Sequence, residues 1–325
     1  MKRWGYWATA FVLSAAVAGM ATAQTYPNKP IRVIVPSSAG GIIDVLPRAL
    51  FQKMSESLGQ QIVVDNRPGA AGIIGSEMGA KAAPDGYTLL VVATAHAINP
   101  SLYPKLPYDT VKDFTPITMV AQIPLLLVAH PSLPVNNVKE LVALAKAKPG
   151  QLFFASAGNG QGSHLAGEMF KSLAGIDLTH VPYKGAAPGL ADVLAGQVPM
   201  MFSDPVSAMP HIKTGKLKLL AVGTPKRSVA VPDTPTVMES GVPGFDAYAW
   251  LGILGPAGLP KEIAAKLHGE IIKAMNTPEV KARFFSPSSG FEVIGTNPEQ
   301  SAAFIRAEIA KWTPVVKASG AKADQ

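Results

Sequence analysis

Two glycine-rich turns carry the residues best suited to chemistry. The first, Pro36-Ser37-Ser38-Ala39-Gly40-Gly41-Ile42-Ile43-Asp44, follows a β-rich run from Ile31 to Val35. The second, Ser156-Ala157-Gly158-Asn159-Gly160-Gln161-Gly162-Ser163-His164, follows a run from Leu152 to Ala155. Each turn leads into a helical pattern, so each presents backbone N–H groups with the positive end of a helix dipole behind them, an arrangement that binds anions. Neither turn contains Lys or Arg. A carboxylate there is held by backbone amides, hydroxyls and ordered water, not by a salt bridge.

Catalytic readings of the same residues fail on spacing. The second turn runs G-x-G-x-G and then Ser163, and no clear strand with an acid follows around Asp177, which argues against a dinucleotide site. No Gly-Lys-Ser or Gly-Lys-Thr closes either turn, so Walker-type phosphate binding is excluded. Ser163 and His164 are adjacent on a helix and diverge, and Gln161 and Leu165 break the G-x-S-x-G elbow. Histidines 96, 130, 164, 180, 211 and 268 include no pair three or four apart, so no local metal site is expected. With no Cys there is no disulfide, thiolate nucleophile or cysteine metal site. An enzyme needs a convergent acid/base set, and only the dispersed Asp44, His164 and Asp204 are on offer. The expectation is a receptor with no cofactor, no metal and no catalytic residue.

The elements that must position these turns alternate along the chain. Short β-rich runs at Ile31 to Val35, Ile62 to Val64, Thr88 to Val92, Leu125 to Val128, Leu152 to Ala155, Val198 to Phe202, Leu219 to Val222 and Leu251 to Leu254 are separated by helical patterns, which predicts α/β. Val138, Leu141, Val142 and Ala145 share one helix face, with Asn136 and Asn137 as caps and Pro149-Gly150 as the stop. Two late helices open with Pro in the first turn, Pro260 and Pro298, the latter after Asn297 as N-cap. The last helix buries Ile305, Ile309, Trp312 and Val316 at helical spacing. Trp250 reads either as packing or as part of a hinge.

The chain begins with an export signal: Lys2 and Arg3, an apolar run from about Tyr6 to Met20, and Ala21-Thr22-Ala23 as a small-x-small cleavage site. Residues 1–23 therefore read as a signal peptide, and the mature chain as soluble in the periplasm, since Pro or Gly interrupts every later hydrophobic run. Roughly 300 remaining residues suggest two domains. The formal charge of +7 falls to +5 without Lys2 and Arg3. The surplus is scattered as single residues without interleaved aromatics, which excludes nucleic acid as a partner.

The same residues resemble the extracytoplasmic solute receptors of the tripartite tricarboxylate transporter family, the Bug receptors. The motifs in order are Tyr26-Pro27-Asn28-Lys29-Pro30-Ile31, the turn ending Gly40-Gly41-x-x-Asp44, Asn66-Arg67-Pro68-Gly69-Ala70, Pro84-Asp85-Gly86-Tyr87-Thr88-Leu89 and Leu106-Pro107-Tyr108-Asp109. Lys112-Asp113-Phe114-x-Pro116-Ile117, His164-Leu165-Ala166-Gly167-Glu168, His180-Val181-Pro182-Tyr183-Lys184-Gly185 and Lys311-Trp312 continue the series. The resemblance implies a type II periplasmic-binding-protein fold of two α/β lobes joined by two crossover segments, with lobe one at 25–124 plus 226–325 and lobe two at 125–225. It implies a monomer that captures a small carboxylate in the cleft and delivers it to membrane permease subunits. The gripping residues it implies are Ser38, Gly41, Ile42 and Asp44 from lobe one, with Ser156, Gly158, Ser163 and His164 from lobe two. Thr94, Gly185 and Asp204 line the rest.

The chain departs from the family pattern at Ser37, where an aromatic is common, and at Ile43, where Thr or Ser usually precedes the Asp. Ile42 and Ile43 put apolar side chains beside the first cradle. That favours an aromatic mono- or dicarboxylate over amino acids and citrate, with an aliphatic C4 to C6 dicarboxylate as the alternative. A sensor co-receptor of the same fold is the competing function.

Overall fold

The computed structural model describes residues 26–321 except Ser288; the signal peptide read at 1–23 lies outside them. The first sheet opens with β1 (Ile31–Val35), α1 (Ile42–Leu58), β2 (Ile62–Asn66), α2 (Ile73–Ala80), β3 (Thr88–Ala93), α3 (Thr94–Leu102) and β4 (Phe114–Pro124). One residue, Leu125, separates β4 from the second sheet. That sheet comprises β5 (Leu126–Ala129), α4 (Val138–Ala147), β6 (Phe153–Ser156), α5 (Gly162–Ala174), β7 (Thr179–Pro182), α6 (Ala186–Leu194), β8 (Met200–Ser203), α7 (Pro205–Lys213) and β9 (Lys218–Val222). The chain then returns through β10 (Tyr248–Pro256), α8 (Lys261–Met275), α9 (Pro278–Phe284), β11 (Glu292–Val293) and α10 (Pro298–Ser319).

The strand orders are β11-β4-β10-β3-β1-β2 and β7-β6-β8-β5-β9. In the first sheet β1 lies parallel to β2 and β3, while β10 runs antiparallel between β3 and β4. In the second, β6 lies parallel to β7 and β8, and β5 runs antiparallel between β8 and β9. Each sheet is thus a parallel core closed by antiparallel strands that follow a crossover. The parallel strands are apolar nearly throughout because helices cover both faces; Ile31, Val33, Ile34 and Val35 of β1 are all buried.

The crossovers meet at Gly223, whose N–H donates to Leu125 O at 2.7 Å while its carbonyl accepts from Ala247 N at 2.9 Å. A Cβ at 223 would stand 2.5 Å from Ala247 O and 3.0 Å from Leu125 O, so only glycine lets the three segments approach this closely.

Helix signals in the sequence map onto particular caps. Asn137 Oδ1 accepts from Glu140 N at 2.9 Å, and Glu140 Oε2 accepts from Asn136 N at 2.7 Å. Asn297 and Gln300 form a reciprocal capping box with Pro298 in the first turn of α10. Pro260, expected inside the first turn of its helix, is instead the residue before it, and α8 starts at Lys261. Along α10 Ile305, Trp312 and Val316 are buried, and the helix packs on both α3 and α5. Glu308 is buried beside them. Its Oε2 accepts from Trp250 Nε1 at 2.8 Å and Trp312 Nε1 at 3.0 Å, and its Oε1 from Tyr248 OH at 3.1 Å, with Lys311 Nζ at 2.6 Å. Trp250 is therefore a packing residue that ties β10 to α10.

Candidate functional site

Parallel pairing brings the two glycine-rich turns to the carboxyl ends of their sheets, where open α/β sheets bind ligands. Val35 pairs with Asn66 and Ile34 with Leu90, so the turn after β1 and the start of α3 at Thr94 share one edge. In the second sheet Ser156 pairs with Pro182 and Ala155 with Met201. The turns after β6, β7 and β8 share the matching edge. The edges meet: an ideal Cβ on Gly162 would lie 3.8 Å from Thr94 Cγ2, and one on Gly160 would strike Leu102 Cδ2 at 2.1 Å.

Four helices start at this junction without a side-chain cap: α1 at Gly41, α3 at Ala93, α5 at Gln161 and α6 at Gly185. Their first-turn N–H groups have no intrahelical acceptor, so each start offers donors to an anion. The fifth, α7, is capped by Asp204, which accepts from Ser207 N at 2.9 Å and Ser207 Oγ at 3.0 Å.

Several polar side chains named from the sequence build the turns instead of pointing out of them. Asp44 is buried at 2% exposure. Its Oδ2 accepts from Gly40 N at 2.9 Å and Arg48 Nε at 3.1 Å, and its Oδ1 from Arg48 Nη2 at 2.7 Å and Asn66 Nδ2 at 3.0 Å. Burial opposes its ionisation, but the Arg48, Gly40 and Asn66 hydrogen bonds hold its carboxyl below the usual range. Both oxygens are committed, so Asp44 positions the first cradle and does not grip.

The second cradle is fixed in the same way. Ser156 Oγ accepts from Gly158 N at 3.1 Å and lies 2.6 Å from His180 Nε2. Ser163 Oγ accepts from Ala157 N at 3.0 Å, which leaves its own hydroxyl proton to donate. His164 Nδ1 accepts from Gly160 N at 3.1 Å, and its ring stacks on His180 at 3.8 Å between centroids, 9° from parallel. Burial depresses both imidazoles, His164 to about 3 with help from His180 and Lys171, and His180 to about 4 with help from Lys171. Burial likewise raises Glu168, whose Oε1 lies 3.1 Å from Lys171 Nζ. Ser156 and His164 are thus positioning residues. Gly158 has φ +129°, and a Cβ there would stand 3.0 Å from Tyr183 O. Gly185 N donates to Ala157 O at 3.1 Å, joining the third turn to the second. Thr94 Oγ1 accepts from Trp250 N at 3.2 Å.

A cavity of about 750 Å³ opens beside the first cradle. Gly40, Ile42 and Val45 form its lobe-one wall with Arg283, Phe284 and Phe291. Asp204, Val206, Met209 and Lys213 of the α7 segment face them. Of the expected site residues it brings together Ile42 and Asp204. Ser38 and Gly41 sit exposed on the neighbouring turn, while Thr94, Ser156, Gly158, Ser163, His164 and Gly185 are not in its wall. Ile43, expected beside Ile42, is not in its wall, although both side chains touch the lobe-one core; consecutive residues of a helix diverge by about 100°. Sequence reading missed Lys213, Arg283, Phe284 and Phe291, which are far from either turn in sequence, and His180, sixteen positions from its stacking partner. Among the described residues no group of three or more His, Asp or Glu could hold a metal ion, and no helix is long and apolar enough to cross a membrane.

Two α/β lobes whose uncapped helix starts meet across a crossover junction define a solute-binding receptor of the type II periplasmic-binding-protein class. The chain belongs to the family described as "Tripartite tricarboxylate transporter family receptor", which matches residues 46–321. It is 38% identical over 314 residues to Protein BugT of Bordetella pertussis, covering 96% of each chain. Its structure is similar to R. palustris Rpa4515 with adipate, at TM-score 0.82 and 34% identity, covering 91% of this chain and 99% of that one. It is also similar to the periplasmic binding protein BugD, at TM-score 0.79 and 35% identity, covering 91% and 99%.

Proposed function

We propose that this chain works in the periplasm as a monomer, after removal of residues 1–23. There it captures a small carboxylate between lobes at 25–124 plus 226–325 and at 125–225, and delivers it to permease subunits. The observation that carries the reading is the meeting of four uncapped helix starts from two lobes at one junction. Rpa4515, solved with adipate, supports a carboxylate as the ligand. The grip consists of N–H groups at Gly41, Ile42 and Ser163, with the hydroxyls of Ser38, Ser163 and Thr94, while Gly158, its N–H held by Ser156 Oγ, lets the second turn close. Gly185 and Asp204 border the site, and Asp44, Ser156 and His164 hold its turns in shape. The receptor reading is preferred to an enzyme because the titratable groups at the junction are committed to those turns.

The ligand has a flat or apolar body, an aromatic mono- or dicarboxylate in preference to an amino acid or citrate. Ile42, Val45 and Phe291 offer apolar surface, and Asp204, the one acidic lining residue, is engaged as the cap of α7. Burying roughly 100 Å² of ring there contributes about 2.5 kcal/mol. A thermal-shift screen tests this, since a ligand at 100 times its Kd adds about 2.7 kcal/mol of stability. Benzoate and terephthalate are expected to stabilise most. Tightest binding of citrate or glutamate overturns the ligand preference, and no shift with any carboxylate overturns the receptor reading.

A further inference from the structure

The second cradle rests on a support that a proton can undo. His164 is 5% exposed, and its Nδ1 accepts from Gly160 N at 3.1 Å. That bond uses the lone pair on Nδ1, so the ring is neutral and carries its proton on Nε2, 3.9 Å from Glu168 Oε1. His180 stacks on this ring and makes a second tie: its Nε2 lies 2.6 Å from Ser156 Oγ, which accepts from Gly158 N at 3.1 Å. The backbone N–H groups of Gly158 and Gly160 are thus fixed by the two imidazoles, one through a hydroxyl and one directly. Lobe one closes over the same turn. Leu102, the last residue of α3, lies so near Gly160 that a Cβ there would strike its Cδ2 at 2.1 Å.

A proton added to His164 Nδ1 sets donor against donor at Gly160 N–H, and the bond is lost. A charge on His180, 3.8 Å away between ring centroids, adds repulsion in a buried site. Burial accordingly depresses both rings, His164 to about 3 with help from His180 and Lys171, and His180 to about 4 with help from Lys171. The groups around the pair do not offset this. Glu168 on α5 is itself pushed up by burial, against the pull of Lys171 and with help from Asp177. Asp192 on α6 accepts from Tyr183 OH at 2.6 Å. Of the lobe-one helices, α3 sets its His96 against Tyr108 and Phe114, and α10 commits Glu308 to Trp250, Trp312, Tyr248 and Lys311.

We propose that His164 and His180 are positioning residues that couple ligand capture to protons: the closed, gripping form requires the pair uncharged, and acid favours the open, empty form. When the lobes part, Leu102 leaves Gly160 and water reaches the turn, so the open form accepts protons that the closed form refuses. Binding then expels them, and affinity falls with pH. A protonated imidazole also attracts a carboxylate, but the proton that charges His164 takes the atom that holds Gly160, so the cradle is lost in the same event. The inference rests on the carboxylate-receptor reading and adds to it a control on release.

Calorimetry on the mature protein with benzoate, terephthalate and adipate at pH 7.5 and 5.5 tests this. Kd should rise about tenfold on acidification if one imidazole titrates near its ordinary value of about 6.5 in the open form. Near pH 6.5 binding should release about half a proton, read from the dependence of the observed enthalpy on the ionisation enthalpy of the buffer. His164→Asn replaces Nδ1 with an amide oxygen that can accept from Gly160 N and does not titrate. Its Kd should change about twofold or less over the same range, with the proton release gone; ligand protonation is common to both proteins and divides out. His180→Gln should weaken the dependence, and ligand-free melting temperatures check folding at both pH values. Where a variant does not fold, the proton release of the wild type decides. A wild-type Kd that is constant or falls toward pH 5.5, no proton release, or a dependence that persists in both variants overturns the coupling and leaves the receptor reading intact. Failure of all three compounds to bind at pH 7.5 overturns both.

Discussion

Replacing Asp44 with Asn separates a residue that shapes the cradle from one that touches the ligand. The carboxylate is acceptor-only and holds four donors, two on each oxygen. An amide keeps one acceptor and turns an NH2 toward the other two donors, whichever way it is placed. On the Oδ2 side those are Gly40 N and Arg48 Nε; on the Oδ1 side, Arg48 Nη2 and Asn66 Nδ2. A hydrogen bond to a charged group is worth about 1.5–3 kcal/mol. Arg48 is 48% exposed at its side chain and recovers water, so its share is discounted. The expected loss is about 2–3 kcal/mol in urea unfolding. With Gly40 released, the turn before α1 spends less time in its binding geometry, and apparent affinity falls in proportion to the competent fraction. A tenfold rise in Kd by calorimetry is the expected outcome. If Asp44 faced an anionic ligand directly, removing its charge would tighten binding. Unchanged stability with tighter binding therefore refutes the positioning role.

Gly158→Val should abolish carboxylate binding and cost about 1–2 kcal/mol of stability, because the added side chain is strained at positive φ and crowds Tyr183 O; near-native affinity by calorimetry would make the turn irrelevant to binding. Glu308→Ala should destabilise by about 3–5 kcal/mol in urea unfolding, since it leaves Trp250, Trp312, Tyr248 and Lys311 without their shared acceptor, and a loss under 1 kcal/mol would contradict that role. Acidification should destabilise the protein through His164, His180 and His96, which burial holds at about 3, 4 and 4. Their folded pKa values are depressed, so the unfolded chain takes up protons below about 6.5 that the folded chain refuses; the stability present above pH 6.5 is lost toward pH 4 at about 1.4 kcal/mol per pH unit for each. Unfolding curves at pH 7, 6 and 5 check this, and His180→Gln should flatten the dependence.

Periodicity in the sequence was enough to find β1, β3, α4 and α10, because each is long or carries its own cap. It was not enough for β4, whose Phe114–Pro124 run is interrupted by Pro116 and ends at Pro124 and is absent from the β-rich runs read in the sequence. Both prolines are tolerated because the strand borders β10 on one side and only the two-residue β11 on the other. The turns were legible as glycine-rich strand-to-helix connections from their glycines. The side chains were misread there because a carboxylate beside a glycine turn serves equally well to hold the turn, and only the positions of Arg48 and Asn66 decide between the roles for Asp44. His164 and His180 looked unrelated at sixteen positions apart, yet the β6–α5–β7 unit returns the chain by one strand spacing and stacks them. Lys213 and Arg283 carry no local signature, since they line one cavity only once the crossovers at Gly223 have set the lobes side by side.

The uncapped helix starts also bear on how such a receptor can evolve. Every residue except proline carries an amide N–H, so substitution at Gly41, Ile42 or Ser163 can alter bulk or polarity while leaving the donors in place. An anchor made this way is inherited through nearly any point mutation, whereas the wall at Val45, Val206, Met209 and Phe291 changes with each one. Retention of the common carboxylate and choice among ligand bodies are thereby under separate genetic control. A library that randomises those four wall positions should yield changed preferences far more often than lost binding.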